Sequence, residues 1–113
     1  MVMKIEKVFK ALSDRSRLRI INMLSQKSMC VCEITEVLGL SQSTVSGHLR
    51  VLKEAELVDD EKDGLWVEYR LCRDKKFIAA VLDLILEILE PDEKMAKDRI
   101  LALKADREAI CKK

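Results

Sequence analysis

The feature that most restricts the fold is a double change of period between residues 30 and 71. Ile34, Val37 and Leu38 fall at helical spacing and stop at Gly39, a residue suited to the left-handed backbone that closes a helix. Ser41 then heads a longer helical pattern with Val45, His48, Leu49, Leu52 and Ala55 on one side. From Leu57 the period drops to that of strands. Leu57-Val58 and residues 65–71 read as two strands joined by a turn at Asp63-Gly64. A short helix, a glycine turn, a second helix and a hairpin in that order leave few ways to close a core.

What flanks this stretch is helical. Ile5, Val8, Phe9 and Leu12 predict a first amphipathic helix ending near Ser13-Asp14, either of which can cap the next. In that second helix Leu18, Ile20, Ile21 and Leu24 form the buried stripe and Arg15, Arg17 and Arg19 are expected to face outward. From Asp74 a helix carries apolar residues on nearly every side, among them Phe77, Ile78, Val81, Leu82, Leu84, Ile85 and Ile88. A face so wide in a small protein is expected to pack against a second copy. Pro91-Asp92-Glu93 suits the first turn of one last helix carrying Met95, Ile100, Leu101, Leu103 and Ile110, with Cys111 in its final turn.

At 113 residues, with only three glycines and one proline and 36% charged residues, the chain reads as one mainly α domain with a small β-hairpin. Its parts are helices for dimerisation at 1–13 and 73–113, a helix-turn-helix at 30–55 and a β-wing at 57–71. No apolar run approaches a membrane span and no secretory leader is visible, so a cytoplasmic protein with no membrane partner is expected, its four cysteines reduced at rest. No nucleophile with its base, clustered acid–base pair or phosphate loop appears, which argues against an enzyme.

The order of elements is that of a homodimeric winged helix-turn-helix, and the residue types fit double-stranded DNA. Gln42, Ser43, Thr44 and Ser46 are short and polar, Gly47 permits close approach, and Arg50 and Lys53 suit phosphate or guanine. His48 lies beside the apolar side, where a packed role is the ordinary expectation. The net charge of +1 decides nothing, and the wing is acidic: Asp59, Asp60, Glu61 and Asp63 against Lys62. Carboxylates beside phosphates weaken binding.

The segments LSDRSRLRIINML (12–24), CVCEITEVLGLSQSTVSGHLRVLKEAELV (30–58) and DGLWVEYRL (63–71) together resemble the ArsR/SmtB family of metal-responsive repressors. The resemblance implies a homodimer through the first and fifth helices, an operator of near two-fold symmetry and release on binding an inducer. It also implies a recognition helix at 41–55 with Gln42, Ser43, Thr44, Ser46 and His48 toward DNA. Cys30-Val31-Cys32 resembles the arsenite-sensing box, with arsenic(III) or antimony(III) as inducer and no cofactor at rest. On a regular helix residues two apart point about 200° from each other, so the two sulfurs are expected to share an ion only by bending the backbone. The helix N-terminus is expected to lower their pKa. Where the best-known box has a further cysteine this chain has Thr35, which leaves the third ligand open: Cys111 of the same or the other subunit is the first candidate, no third thiol is an alternative, and Cys72 reads rather as a buried small hydrophobe.

With one histidine, a zinc or nickel site of the usual kind on the fifth helix cannot be built. A thiol-disulfide or persulfide switch, or cadmium or lead, would be alternative inducers on the same fold. A thiol metal-handling or interaction protein without operator binding is the alternative of another class.

Overall fold

The computed structural model describes residues 2–110, with side chains from Lys4 onward. Seven helices and three strands follow in order: α1 Val2–Leu12, α2 Arg15–Leu24, β1 Met29–Cys30, α3 Val31–Leu38, α4 Gln42–Glu54, β2 Val58–Asp63, β3 Trp66–Leu71, α5 Lys76–Leu89, α6 Glu93–Lys104 and α7 Arg107–Ile110. Local chemistry sets most of these limits. The Asp14 carboxylate accepts from the Arg17 N–H at 3.0 Å and starts α2. Gly39 ends α3 in the left-handed region at φ 71°, and Ser41 starts α4 by accepting from the Thr44 N–H at 3.2 Å. Val8, Ala11, Ile20, Ile21, Met23, Ile34, Val45, Leu49, Leu52 and Leu57 interlock behind α3 and α4 as one core. The expected order of helix, turn, helix and wing is therefore the observed one.

The wing has a strand more than the sequence implied. The sheet runs β1-β3-β2, all antiparallel, with Met29 opposite Tyr69 and Cys30 opposite Glu68. A strand of two residues carries no readable alternation, so Met29-Cys30 looked like the approach to a helix. The hairpin register places Asp63 opposite Trp66, which makes Gly64 and Leu65 the two loop residues, one later than expected; Gly64 takes φ 64°, where a side chain would strain.

Two further expectations are corrected. Arg17 and Arg19 turn inward rather than out. The Arg17 guanidinium donates to the carbonyls of Ala11 at 2.7 Å and Lys10 at 3.3 Å, at the end of α1, while Arg19 makes two bonds, of 2.7 and 3.1 Å, to Asp98. Asp98 is fully buried and also lies 3.6 Å from Lys94. Removing one member of such a pair leaves an uncompensated buried charge, a loss of about 3–5 kcal/mol. This contact fastens α6 to α2, helped by the buried Asn22, which donates to the Met95 carbonyl at 2.9 Å.

The single last helix is in fact two. Ala105 is extended, and Asp106 restarts the chain by accepting from the Glu108 N–H at 3.0 Å. Met95, Asp98 and Ala102 form the buried side of α6, whereas Ile100, Leu101 and Leu103 stay exposed. Both α6 and α7 pack on their own protomer, α6 on α2 and α3 and α7 on α3. On α5, Ile78 and Leu82 enter the core and Leu84 and Ile88 remain more than half exposed, as does Phe9 of α1.

Candidate nucleic-acid interface and thiol site

Helix α4 presents its first turns to solvent. Gln42, Ser43, Thr44 and Arg50 are exposed, Ser46 and Gly47 half-buried, and a side chain built at Gly47 would meet nothing within 4 Å. Val45, Leu49 and Leu52 anchor the opposite side in the core. Ser41 accepts one backbone donor and donates to the Thr44 hydroxyl at 2.9 Å, so the hydroxyls of this end are held in place before any ligand arrives. His48 is placed differently from its neighbours. It is half-buried, with Nδ1 3.2 Å from the Arg17 guanidinium and 3.9 Å from Asp14, and so ties α4 to the start of α2. Arg17 thereby joins α1, α2 and α4, a role with no signal in the local sequence.

The carboxylates of the acidic wing are ion-paired, four of them to three cations, two of which come from α4 and α7. Asp60 pairs with Lys53 of α4 at 2.9 Å, Glu61 with Arg70 at 2.9 Å, Asp59 with Arg70 at 3.7 Å, and Asp63 with Arg107 at 2.7 Å. The hydrogen bond to Asp60 also raises the Lys53 pKa, keeping the ammonium charged beside the strand. Exposed pairs of this kind add little stability. Their consequence is electrostatic, because they weaken the objection that the carboxylate run raised against a polyanion.

The cysteine box sits where β1 becomes α3, and Cys32 is disulfide-bonded there, not reduced as the sequence led us to expect. Cys30 is the residue before the helix, extended at φ −90° and ψ 166°, and Cys32 lies in the first turn. This abrupt change from strand to helix brings the two sulfurs to 3.1 Å. The bend expected on ligand binding is already built into the chain. Glu33, which the sequence reading passed over, closes the turn: its buried carboxylate accepts from the Cys30 N–H at 2.9 Å and lies 3.4 Å from the Cys30 sulfur. A carboxylate three residues after the residue that precedes a helix is the signal that could have found it. Lys27 stands 3.6 Å from the same carboxylate and donates to the Ala105 carbonyl at 2.6 Å.

The acidity expected of Cys30 is also corrected. Burial pushes the Cys30 thiol above the ordinary value of 9.0, and the nearby Glu33 charge adds to it, outweighing what the helix start contributes. Thr35 is half-buried on the same helix with its hydroxyl unpartnered. Cys72 is not the buried residue expected. Half-buried, with its sulfur 3.8 Å from Asp74, it lines an open cavity of about 240 Å³ between α4, the wing and α5. Cys111 lies outside the described residues. Among the described residues no three of His, Cys, Asp and Glu cluster as a metal site, and no helix is long and apolar enough to cross a membrane.

A helix-turn-helix with an exposed polar first turn, a wing whose carboxylates are ion-paired and a two-cysteine box behind it defines a DNA-binding regulatory protein. The model of the bacterial regulatory protein arsR family matches residues 14–60, from the cap of α2 through the thiol box and α4 into β2. The chain is 38% identical over 91 residues to the arsenic resistance transcriptional regulator ArsR1 of Pseudomonas putida, covering 75% of this chain and 71% of that one. It is 44% identical over 69 residues to the arsenical resistance operon repressor of Bacillus subtilis, covering 60% and 66%. Among solved structures, it resembles the homodimeric winged helix-turn-helix DNA-binding domain of a possible ArsR-family regulator from Mycobacterium bovis. That likeness has a TM-score of 0.69 at 27% identity, over 79% of this chain and 81% of that one. The chain belongs to the arsR family of bacterial transcriptional regulators.

Proposed function

We propose that the chain is a homodimeric repressor that leaves its operator when arsenite or antimonite binds Cys30 and Cys32. The observation that carries this reading is the 3.1 Å separation of the two sulfurs. Bonds of about 2.3 Å from two thiolates to one ion, at the near-right angles of pyramidal three-coordinate arsenic, span about 3.3 Å between sulfurs, so a small outward movement lets the pair grip one ion. Soft sulfur selects soft ions. Once a cellular thiol reductant has opened the Cys32 disulfide by thiol–disulfide exchange, each thiol that bonds arsenic gives its proton to a departing hydroxide, which leaves as water, so neutral arsenite is taken up without a change in net charge.

The third sulfur is assigned to Cys111. Ile110, its neighbour in sequence, lines a cavity with Glu36 and Val37 of α3, which supports a terminal thiol acting beside that helix. Cys72 follows Glu68, the partner of Cys30 in the ladder, by four residues, about 13 Å of strand, and serves a different neighbourhood. Release follows from the same geometry. Bonding at Cys30 draws its sulfur off Glu33, loosens the first turn of α3, and α3 packs directly on α4. In a dimer, tilting α4 in both subunits spoils the spacing of the two half-sites. The second copy is assigned to the exposed apolar residues of α1 and α5, Phe9 on the one and Leu84 and Ile88 on the other.

The test is arsenite titration of a complex with DNA flanking the gene, for wild type beside Cys30→Ser, Cys72→Ser and Cys111→Ser. Release is expected in wild type and Cys72→Ser, lost in Cys30→Ser and weakened in Cys111→Ser. Equal release from all four would discard the thiol assignment.

A further inference from the structure

Helix α7 is a single turn, yet three wing side chains converge on it. The Arg107 guanidinium donates to Glu68 at 2.9 Å and to Asp63 at 2.7 Å, and its carbon stands 4.4 Å from the centre of the Trp66 ring. The side chain is 20% exposed. Glu68 occupies the central strand, directly opposite Glu61 on one side and opposite Cys30 on the other. Like charges facing each other across a ladder oppose the pairing, and here each has its own arginine, Arg70 on Glu61 and Arg107 on Glu68.

We infer that Arg107 is a positioning residue for DNA binding: it latches the wing to α7 and bridges two wing carboxylates, Asp63 and Glu68, offsetting one of their two charges. The inference rests on the operator-binding reading above. Strand β2 packs against α4 and is held there by Lys53 and Asp60, so a duplex seated on α4 brings its phosphates toward the wing. DNA carries one charge per about 1.7 Å of axis, and at 0.1 M salt fields reach about 10 Å. Without Arg107 the wing's excess of carboxylates over cations grows by one charge, and the Glu61–Glu68 rung that borders Cys30 loses half of its compensation. Residues 93–110, which lie outside the family match at 14–60, thereby become part of the DNA-binding unit.

The test compares binding of a labelled duplex from the DNA flanking the gene by the full chain and four variants at low and high salt. Arg107→Ala is expected to bind about tenfold more weakly at low salt, with the deficit shrinking as salt rises, and Arg107→Lys to fall between it and wild type. Adding Asp63→Asn and Glu68→Gln to Arg107→Ala is expected to restore most of the binding, which a purely structural role for Arg107 would not allow. Asp63→Asn with Glu68→Gln on the native Arg107 should bind at least as well as wild type, which keeps the idea testable if Arg107→Ala folds poorly. An unchanged Arg107→Ala, a loss that persists in the triple variant, or weaker binding by the carboxylate double variant overturns the inference alone. No binding by wild type overturns the operator reading with it.

Discussion

Helices α3 and α4 are consecutive, begin alike and are used in opposite ways. Each starts after an extended residue, Cys30 or Ser41, with a side chain satisfying a donor at its first turn. At α3 the cap is a buried carboxylate reaching back from Glu33, under β3 and beside Lys27; at α4 it is an exposed hydroxyl reaching forward from Ser41. The buried turn can be altered only by something that displaces Glu33 from Cys30, whereas the exposed turn can meet a large partner without rearranging. On the proposed function, the difference teaches that burial, not capping chemistry, separates the turn assigned to the inducer from the turn assigned to DNA.

Three substitutions probe that difference, in decreasing order of effect on stability. Glu33→Ala strips a buried N–H of its acceptor and is expected to lower stability by about 2 kcal/mol, read as a shift in urea midpoint at constant slope. A loss below about 0.5 kcal/mol, the size of an ordinary surface change, would falsify the role given to the buried cap. Ser41→Ala should cost about 1 kcal/mol by the same measurement, since water can replace the lost acceptor. Gln42→Ala is expected to leave stability within about 0.5 kcal/mol while reducing discrimination between operator and a mismatched duplex by about 1–3 kcal/mol, read by competition binding. If the stability order of Glu33→Ala and Ser41→Ala reverses, the contrast between the two turns fails.

The parts of the fold that could be read in advance are those written locally. Gly39, Ser41, Asp14 and the alternation of residues 65–71 each act within a few residues of where they stand, so α2, α3, α4 and the hairpin were legible. What escaped depends on distant partners. Arg19 looked like a surface residue because Asp98 lies 79 positions away, and β1 exists only because β3 pairs with it. The break at Ala105 is a different case. Asp106 carried a capping signal, masked because Ile110 continues the apolar pattern of α6 in sequence but packs from a separate turn. In the candidate site, the polar face of α4 and the thiol pair were readable as residue types. The 3.1 Å approach of the sulfurs was not, because a helical estimate of direction fails at a residue whose backbone is still extended.

The contact between Arg107 and Trp66 has an optical side. Trp66 is the one tryptophan of the chain, half-buried, with an indole N–H that finds no acceptor and a cation 4.4 Å from its ring. Indole emission responds to both polarity and nearby charge. Seating or lifting of the last helix therefore changes the colour and intensity of a single native fluorophore, and the protein reports the position of its own C-terminal turn without a label.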